Sequence, residues 1–354
     1  GVKKLQGASA ARGDGSVGRG ALNNKGGRRQ SAGNRSIDTG AAALSNRLSG
    51  ESGGIGSQGI LTSHSGALDN SQGILAGKQQ LNIDSLALTN DGGLLQAGGD
   101  ARIDTHGQAL SNRDSGRHGG ISSPGKLTIA SGAVDNQAGF IASSGDLQLY
   151  SEQLDNRRGT LASENQLSAT VRVINNQAGA IKSGQDMGLN AEDVLDNSNT
   201  GVIGAGKKLQ LDSGHLLNNQ GTLVSADTAQ IHFSLLENRG GQLAAQTALE
   251  LHGNSLSNND GGLIQSGQGL DLTVERLTNA NSGDKGGITS QGAMNLTTGE
   301  FDNGQGVVIA AKDLQIDAET LLNGGGKLVA QQRLVLNTPG AGGLNNQGGL
   351  VQSG

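Results

Sequence analysis

No cysteine and no tryptophan occur among the 354 residues, and the aromatic complement is three Phe and one Tyr. Without thiols there is no disulfide framework, no thiolate nucleophile and no cysteine-based zinc site, and nothing follows about compartment. With so few rings, a conventional globular core is badly supplied. Charge is also scarce. Lys and Arg number 26 against 31 Asp and Glu, a net charge of −5, too small to hold a chain open by self-repulsion and of the wrong sign for a nucleic-acid partner. Apolar runs extend only a few residues, far short of the roughly 20 that cross a bilayer as a helix. The first twenty residues contain neither an initiating Met nor the apolar stretch of a signal peptide, so the chain is expected to be an internal piece of something longer.

Glycine, by contrast, is abundant at 62 residues, and a tripeptide recurs. An aliphatic residue or Phe, then any residue, then Asn ends at Asn24, Asn46, Asn70, Asn90, Asn112, Asn136, Asn156, Asn176, Asn197, Asn219, Asn238, Asn258, Asn279, Asn303, Asn323 and Asn346, at intervals of 19 to 24 residues. Fixed periods of this length mark a repeat architecture. The surrounding residues recur too, as in Leu154-Asp155-Asn156-Arg157-Arg158-Gly159-Thr160-Leu161-Ala162-Ser163. Apolar and polar residues alternate in short bursts (Leu147 and Leu149, Leu154 and Asn156), which is the period of a strand, and Gly-rich corners separate the bursts. Each repeat therefore holds three short strands and three corners. Such a coil cannot bury its own inward face, but a coil stacked on it can, each strand pairing in parallel with its equivalent one repeat later. The expected fold is all-β, a parallel β-helix of about 20–22-residue coils. Its narrow bore takes Leu, Ile, Val, Ala and Ser and has little room for rings, and its corners take Gly and Asn where φ is positive.

A leucine-rich repeat is a poor match, because Gly, Asn and Ser interrupt every stretch that could turn helical. A calcium β-roll needs repeated Gly-Gly-x-Gly-x-Asp, and the nearest approach, Gly53-Gly54-Ile55-Gly56-Ser57-Gln58, has no acid. The runs LDNRRGTLASENQLSA (154–169), LSNNDGGLIQSGQGLDL (256–272) and LLNNQGTLVSADTAQIHF (216–233) resemble the repeats of filamentous haemagglutinins and contact-dependent growth inhibition toxins. These are large exoproteins exported by two-partner secretion from Gram-negative bacteria. Residues 44–354 carry the resemblance well and form a regular array, while residues 1–43 carry it poorly and read as degenerate coils. The resemblance implies a right-handed β-helix, secreted to the cell surface, that serves as a stalk for adhesive or toxic regions. It also implies an outer-membrane secretion partner, engaged through a region outside this stretch.

Few residues offer chemistry. Histidines 64, 106, 118, 215, 232 and 252 show no second ligand or nucleophile at a recurring spacing, and read as solvated. Ser143, Ser163, Ser183, Ser225, Ser266 and Ser290 recur at one position, where a small side chain closes a turn. The anchor asparagines, from Asn70 to Asn303, are expected to stack and hydrogen-bond along the axis. Asp69, Asp135, Asp155, Asp196 and Asp302 precede that Asn and should point outward in one column, interrupted by Thr89, Ser111, Asn175, Asn218, Ser257 and Thr278, so a metal stripe is not expected. Short corners and scarce sugar platforms argue against a polysaccharide-degrading enzyme, and no cofactor is called for. Arg12-Gly13-Asp14 spells a tripeptide read by integrins, although Gly99-Asp100 and Gly145-Asp146 show that Gly-Asp is an ordinary corner pair here. Three insertions, beginning at Arg47, Arg113 and Ala280, fall at one corner and are candidate recognition loops. The alternative to a stalk is thus an adhesion module binding a host receptor or glycan through Arg12, Gly13 and Asp14 or through these loops. Finally, Arg28 and Arg29 fall where later coils carry pairs such as Leu263 and Ile264, and Gly15 falls where Leu147 would sit; an inward Arg is costly unless paired or turned to solvent.

Overall fold

The computed structural model describes residues 3, 4, 8–116 and 118–354, with the backbone alone at 3, 4 and 8. Among the described residues every regular element is a strand, and no helix is long and apolar enough to cross a membrane. The chain is a parallel β-solenoid whose turns lie roughly 20 residues apart. Contacts divide it into two units, Gly1–Ile174 with Gly179–Gly184, and Asn175–Ala178 with Gln185–Gly354.

In the first unit one coil runs through the strands Ile74–Gly77, Gln80–Ser85 and Leu88–Thr89. Each pairs in parallel with its counterpart in the next coil, Leu75 with Leu95, Leu81 with Ala101 and Leu88 with Leu110. Alternation fixes the faces: Leu147 and Leu149 are fully buried in the bore while Gln148 between them is half-exposed. The expected three strands per coil are separate here, but from Leu127–Asp135 onward the second and third run together as one element of nine or ten residues. Corner length varies between neighbouring coils. Where two extra residues sit between Asp104 and Leu110, the chain turns through His106 and Gly107 at positive φ, and Thr105 closes the turn by donating to the Gln108 carbonyl at 2.6 Å. One coil later Ser131-Gly132-Ala133 takes the shorter path, and pairing continues across it.

The second unit repeats the long form, as in Leu209–Leu217 against Ala229–Glu237 with Leu211 facing Ile231, until Leu334–Asn337 and Gly343–Asn345, which are separate again. Its bore does admit rings. Phe233 is 6% exposed, and Gly253 lies in register with it in the next coil. A Cβ on Gly253 would stand 2.4 Å from the Phe233 ring, so the missing side chain of one coil makes room for the large one of its neighbour.

The corner after an anchor Asn meets the expectation of a positive-φ Gly in some coils, as at Gly92 and Gly240, and departs from it in others. In Asn136-Gln137-Ala138-Gly139 the left-handed residue is Ala138 at φ 50°, and Arg158 takes the same place one coil later at 56°. Gly139 is required for another reason. A Cβ there would meet the Asn112 carbonyl oxygen at 2.1 Å and the Asn136 side chain at 2.3 Å, so close stacking of coils, rather than dihedral freedom, selects glycine.

Candidate functional site

The feature that recurs in every coil is a buried column of asparagine side chains. In the first unit Asn24 donates through Nδ2 to Oδ1 of Asn46, and the relay continues through Asn70, Asn90, Asn112, Asn136 and Asn156, each link 2.7–2.8 Å. In the second unit it runs from Asn176 through Asn197, Asn218, Asn238, Asn258, Asn279, Asn303 and Asn323 to Asn346 at 2.6–2.8 Å. The second amide hydrogen serves corner carbonyls, as when Asn136 Nδ2 donates to the Thr160 carbonyl at 3.0 Å. Buried amides are thereby satisfied on both sides. One expected member is displaced: Asn218, fully buried, occupies the column, and Asn219 lies half-buried beside it, its side chain donating to Glu237 at 3.2 Å. The run Leu216-Leu217-Asn218-Asn219 satisfies the tripeptide twice, ending at Asn218 or at Asn219. Starting it at Leu216, which is fully buried, gives the correct frame.

The residue before each column Asn points outward, and that position is held by Leu217, not Asn218, in the coil concerned. In the first unit Asp135 and Asp155 face one another directly across adjacent coils. Arginines compensate the like charges: Arg113 lies 3.6 Å from Asp135, and Arg157 lies 2.7 Å from Asp155. Burial pushes the Asp155 carboxyl up, but hydrogen bonds from the Arg157 side chain and backbone outweigh it and hold the group below the usual carboxylate range. Among the described residues no group of three or more His, Asp or Glu is arranged to hold a metal ion.

The three insertions share a construction that their sequences do not announce. In the first unit the buried Ser49 and Ser115 donate to the carbonyls of Asn46 and Asn112 at 2.8 and 3.2 Å, and Ser115 Oγ accepts the Phe140 N–H at 3.1 Å. In the second unit Ser282 accepts the Val307 N–H at 3.1 Å in the same manner. The base of each loop is thus fixed, and the tips around Glu51, Asp114 and Asp284 are exposed. Arg117 lies outside the described residues. Arg12, Gly13 and Asp14 are all exposed. Asp14 is nonetheless engaged, its Oδ1 accepting the Asn34 N–H at 2.8 Å, just as Asn34 accepts the Ile60 N–H and Asp100 the Lys126 N–H, each at 2.8 Å.

Histidines fall into registers that linear spacing does not show. His64 and Asp84 are paired rungs, and Asp84 bridges His64 Nδ1 at 3.4 Å and His106 Nε2 at 2.5 Å. The hydrogen bond and charge of Asp84 raise the His106 pKa, and the His106 hydrogen bond lowers that of Asp84. In the second unit Asp212, His232 and His252 stack in one outward column, with His232 Nδ1 at 2.9 Å from Asp212 and the two imidazoles edge to face at 6.1 Å. Reading positions modulo the coil, rather than along the chain, finds both groupings. The two inward arginines are more unusual. Arg29 and Arg35 are 5% and 4% exposed and occupy bore positions in register with Ile55 and Leu61.

Six overlapping stretches, residues 96–158, 142–198, 193–253, 229–297, 270–338 and 325–354, match the family model described as haemagglutinin repeat. No curated protein and no solved structure matches the chain. The family matches begin at residue 96, whereas the asparagine relay begins at Asn24.

Proposed function

Since the chain belongs to the haemagglutinin-repeat family, we propose that it is a stalk segment of a large secreted cell-surface exoprotein, whose work is to extend and present regions outside it. The observation that carries this reading is the asparagine relay, repeated coil after coil within each unit. A residue that recurs in every coil serves stacking, whereas recognition or catalysis needs one distinctive place. The parent is of the adhesin or contact-dependent growth inhibition type, exported from a Gram-negative cell through an outer-membrane partner. Asp14 supports the same reading, because its carboxylate performs the corner task that Asn34 and Asp100 perform elsewhere.

The rival reading, direct adhesion through Arg12, Gly13 and Asp14 or through the insertion loops, makes opposite demands. On cells displaying the parent protein, Asp14→Glu and trimming of the three loops leave attachment unchanged if the segment is a stalk. Deleting whole coils in register, beginning with residues 137–156, shortens reach and lowers attachment stepwise. Loss of attachment with Asp14→Glu, combined with indifference to coil number, would reverse the assignment.

A further inference from the structure

Wherever the repeat is regular the bore is apolar, and two guanidiniums inside it require something to pair with. The Nε atoms of Arg29 and Arg35 are buried without any hydrogen-bond partner. Among the described residues neither side chain forms an ion pair, and no carboxylate offsets the burial and the Arg29 charge that together depress the Arg35 pKa. Arginine stays charged under ordinary conditions, so the two positive charges persist. On one side they face Ile55 and Leu61, which are fully buried and apolar. On the other, Ser9 is in register with Arg29, and Gly15 with Arg35. Both are small, and a Cβ on Gly15 would stand 3.2 Å from the Arg35 guanidinium carbon. The Arg35 head therefore lies against Gly15, and Ser9, the rung next to Arg29, is exposed to solvent.

We propose that Arg29 and Arg35 form a binding site for one oxyanion, of the phosphate or carboxylate class, where the bore meets solvent beside Ser9 and Gly15. The planar fork of each guanidinium suits two oxygens of such a group, and an oxyanion shared by both neutralises charges that no other described residue meets. The occupant is either a free inorganic anion or a carboxylate carried by polypeptide, and the chemistry of recognition is the same.

The test uses the full chain, with inorganic phosphate, sulfate and acetate titrated separately at an ionic strength held constant with chloride, and the arginine Nε–H resonances followed by nuclear magnetic resonance. Two such resonances are expected to shift saturably, and Arg29→Leu/Arg35→Leu to remove both the resonances and the binding. Arg35→Lys, which keeps the charge and loses the fork, weakens binding by about tenfold or more. Saturation by phosphate or sulfate assigns the site to a free inorganic anion; saturation by acetate alone assigns it to a carboxylate. Absence of saturable shifts with all three anions overturns the proposal, as does binding that survives in the double variant. Should that variant fail to fold, unchanged affinity in Arg35→Lys overturns it equally.

Discussion

Two coils of the first unit, one carrying Arg29 and Arg35 and the other carrying Ile141 and Leu147 at the equivalent places, differ in what fills the bore and keep the same polar column. Arg35 pairs with Leu61, Leu61 with Leu81, and the register continues through Ala101 and Leu127 to Leu147. The asparagine link is the same at both, 2.7 Å from Asn24 to Asn46 and 2.7 Å from Asn136 to Asn156. The path of a coil is therefore set by backbone pairing and the polar column, and the bore accommodates what it is given if a neighbour yields volume. Gly15 yields it to Arg35, as Gly253 yields it to Phe233 in the second unit. The reverse arrangement, an apolar bore without the column, is not found in any coil from Asn24 to Asn156.

The sharpest way to break this comparison is at the close contacts that the column imposes. Gly139→Ala places a methyl group 2.1 Å from a fixed carbonyl and is expected to destabilise its coil by about 3 kcal/mol or more. Gly13→Ala, where a Cβ meets nothing within 4 Å, is expected to be neutral. Since coils interact with nearest neighbours, native-state hydrogen exchange around each site is the proper readout. Equal effects at the two glycines would refute the argument.

Next in size is the column itself. Asn136→Ala strands the Asn112 amide and the Asn156 carbonyl oxygen, a loss of about 2–4 kcal/mol. Asn24→Ala is expected to cost only about 1 kcal/mol, because Asn24 Oδ1 already has no donor. Exchange rates that rise equally around both positions would contradict this. Smaller again, and opposite in sign, Arg29→Leu/Arg35→Leu in chloride buffer should stabilise residues 28–38 by about 1–3 kcal/mol, as replacement of buried charge by packed aliphatics can do. A destabilised double variant would mean that the guanidiniums are already paired.

The smallest effect concerns Asp84 and His106, both well exposed. The folded state raises the His106 pKa and lowers that of Asp84. Their mutual stabilisation is thus fully present above the unfolded carboxyl value near ~4 and below the unfolded imidazole value near ~6.5. It is lost as pH falls through the depressed Asp84 pKa, and again as pH rises through the raised His106 pKa. In a resonance titration His106 should lose its proton above the ordinary histidine range, and Asp84→Asn should bring it back down. Identical titrations would show that the pair does not form.

The coil, its parallel pairing and the place of the column were legible in the sequence because the side-chain alternation repeats with the anchor Asn. Where two asparagines adjoin, at 218 and 219, the tripeptide alone fits both, and burial of Leu216 decides the frame. The fusion of two strands into one was not legible, because Ser85-Leu86-Ala87 and Ser131-Gly132-Ala133 are corners of equal length and only the second is paired throughout. The insertion serines at 49, 115 and 282 and the histidine groupings were hidden because their partners are roughly a coil away, outside any local window. That one of Arg28 and Arg29 could point inward was visible from the pair they replace, but the choice of Arg29, the burial of Arg35 and the accommodating role of Gly15 needed the register of two coils at once.

The central claim is that residues one coil apart lie in register, side by side on the same face. The absence of native cysteine allows a direct test by paired substitution at Thr128 and Gln148, outward-facing partners in adjacent coils. Parallel strands stand about 4.8 Å apart, within the Cα separation that a disulfide spans. Thr128→Cys with Gln148→Cys should oxidise to an intramolecular bridge, whereas Thr128→Cys with Leu149→Cys should not, because position 149 faces the bore. Cross-linking of the second pair as readily as the first would contradict the register and the column built on it.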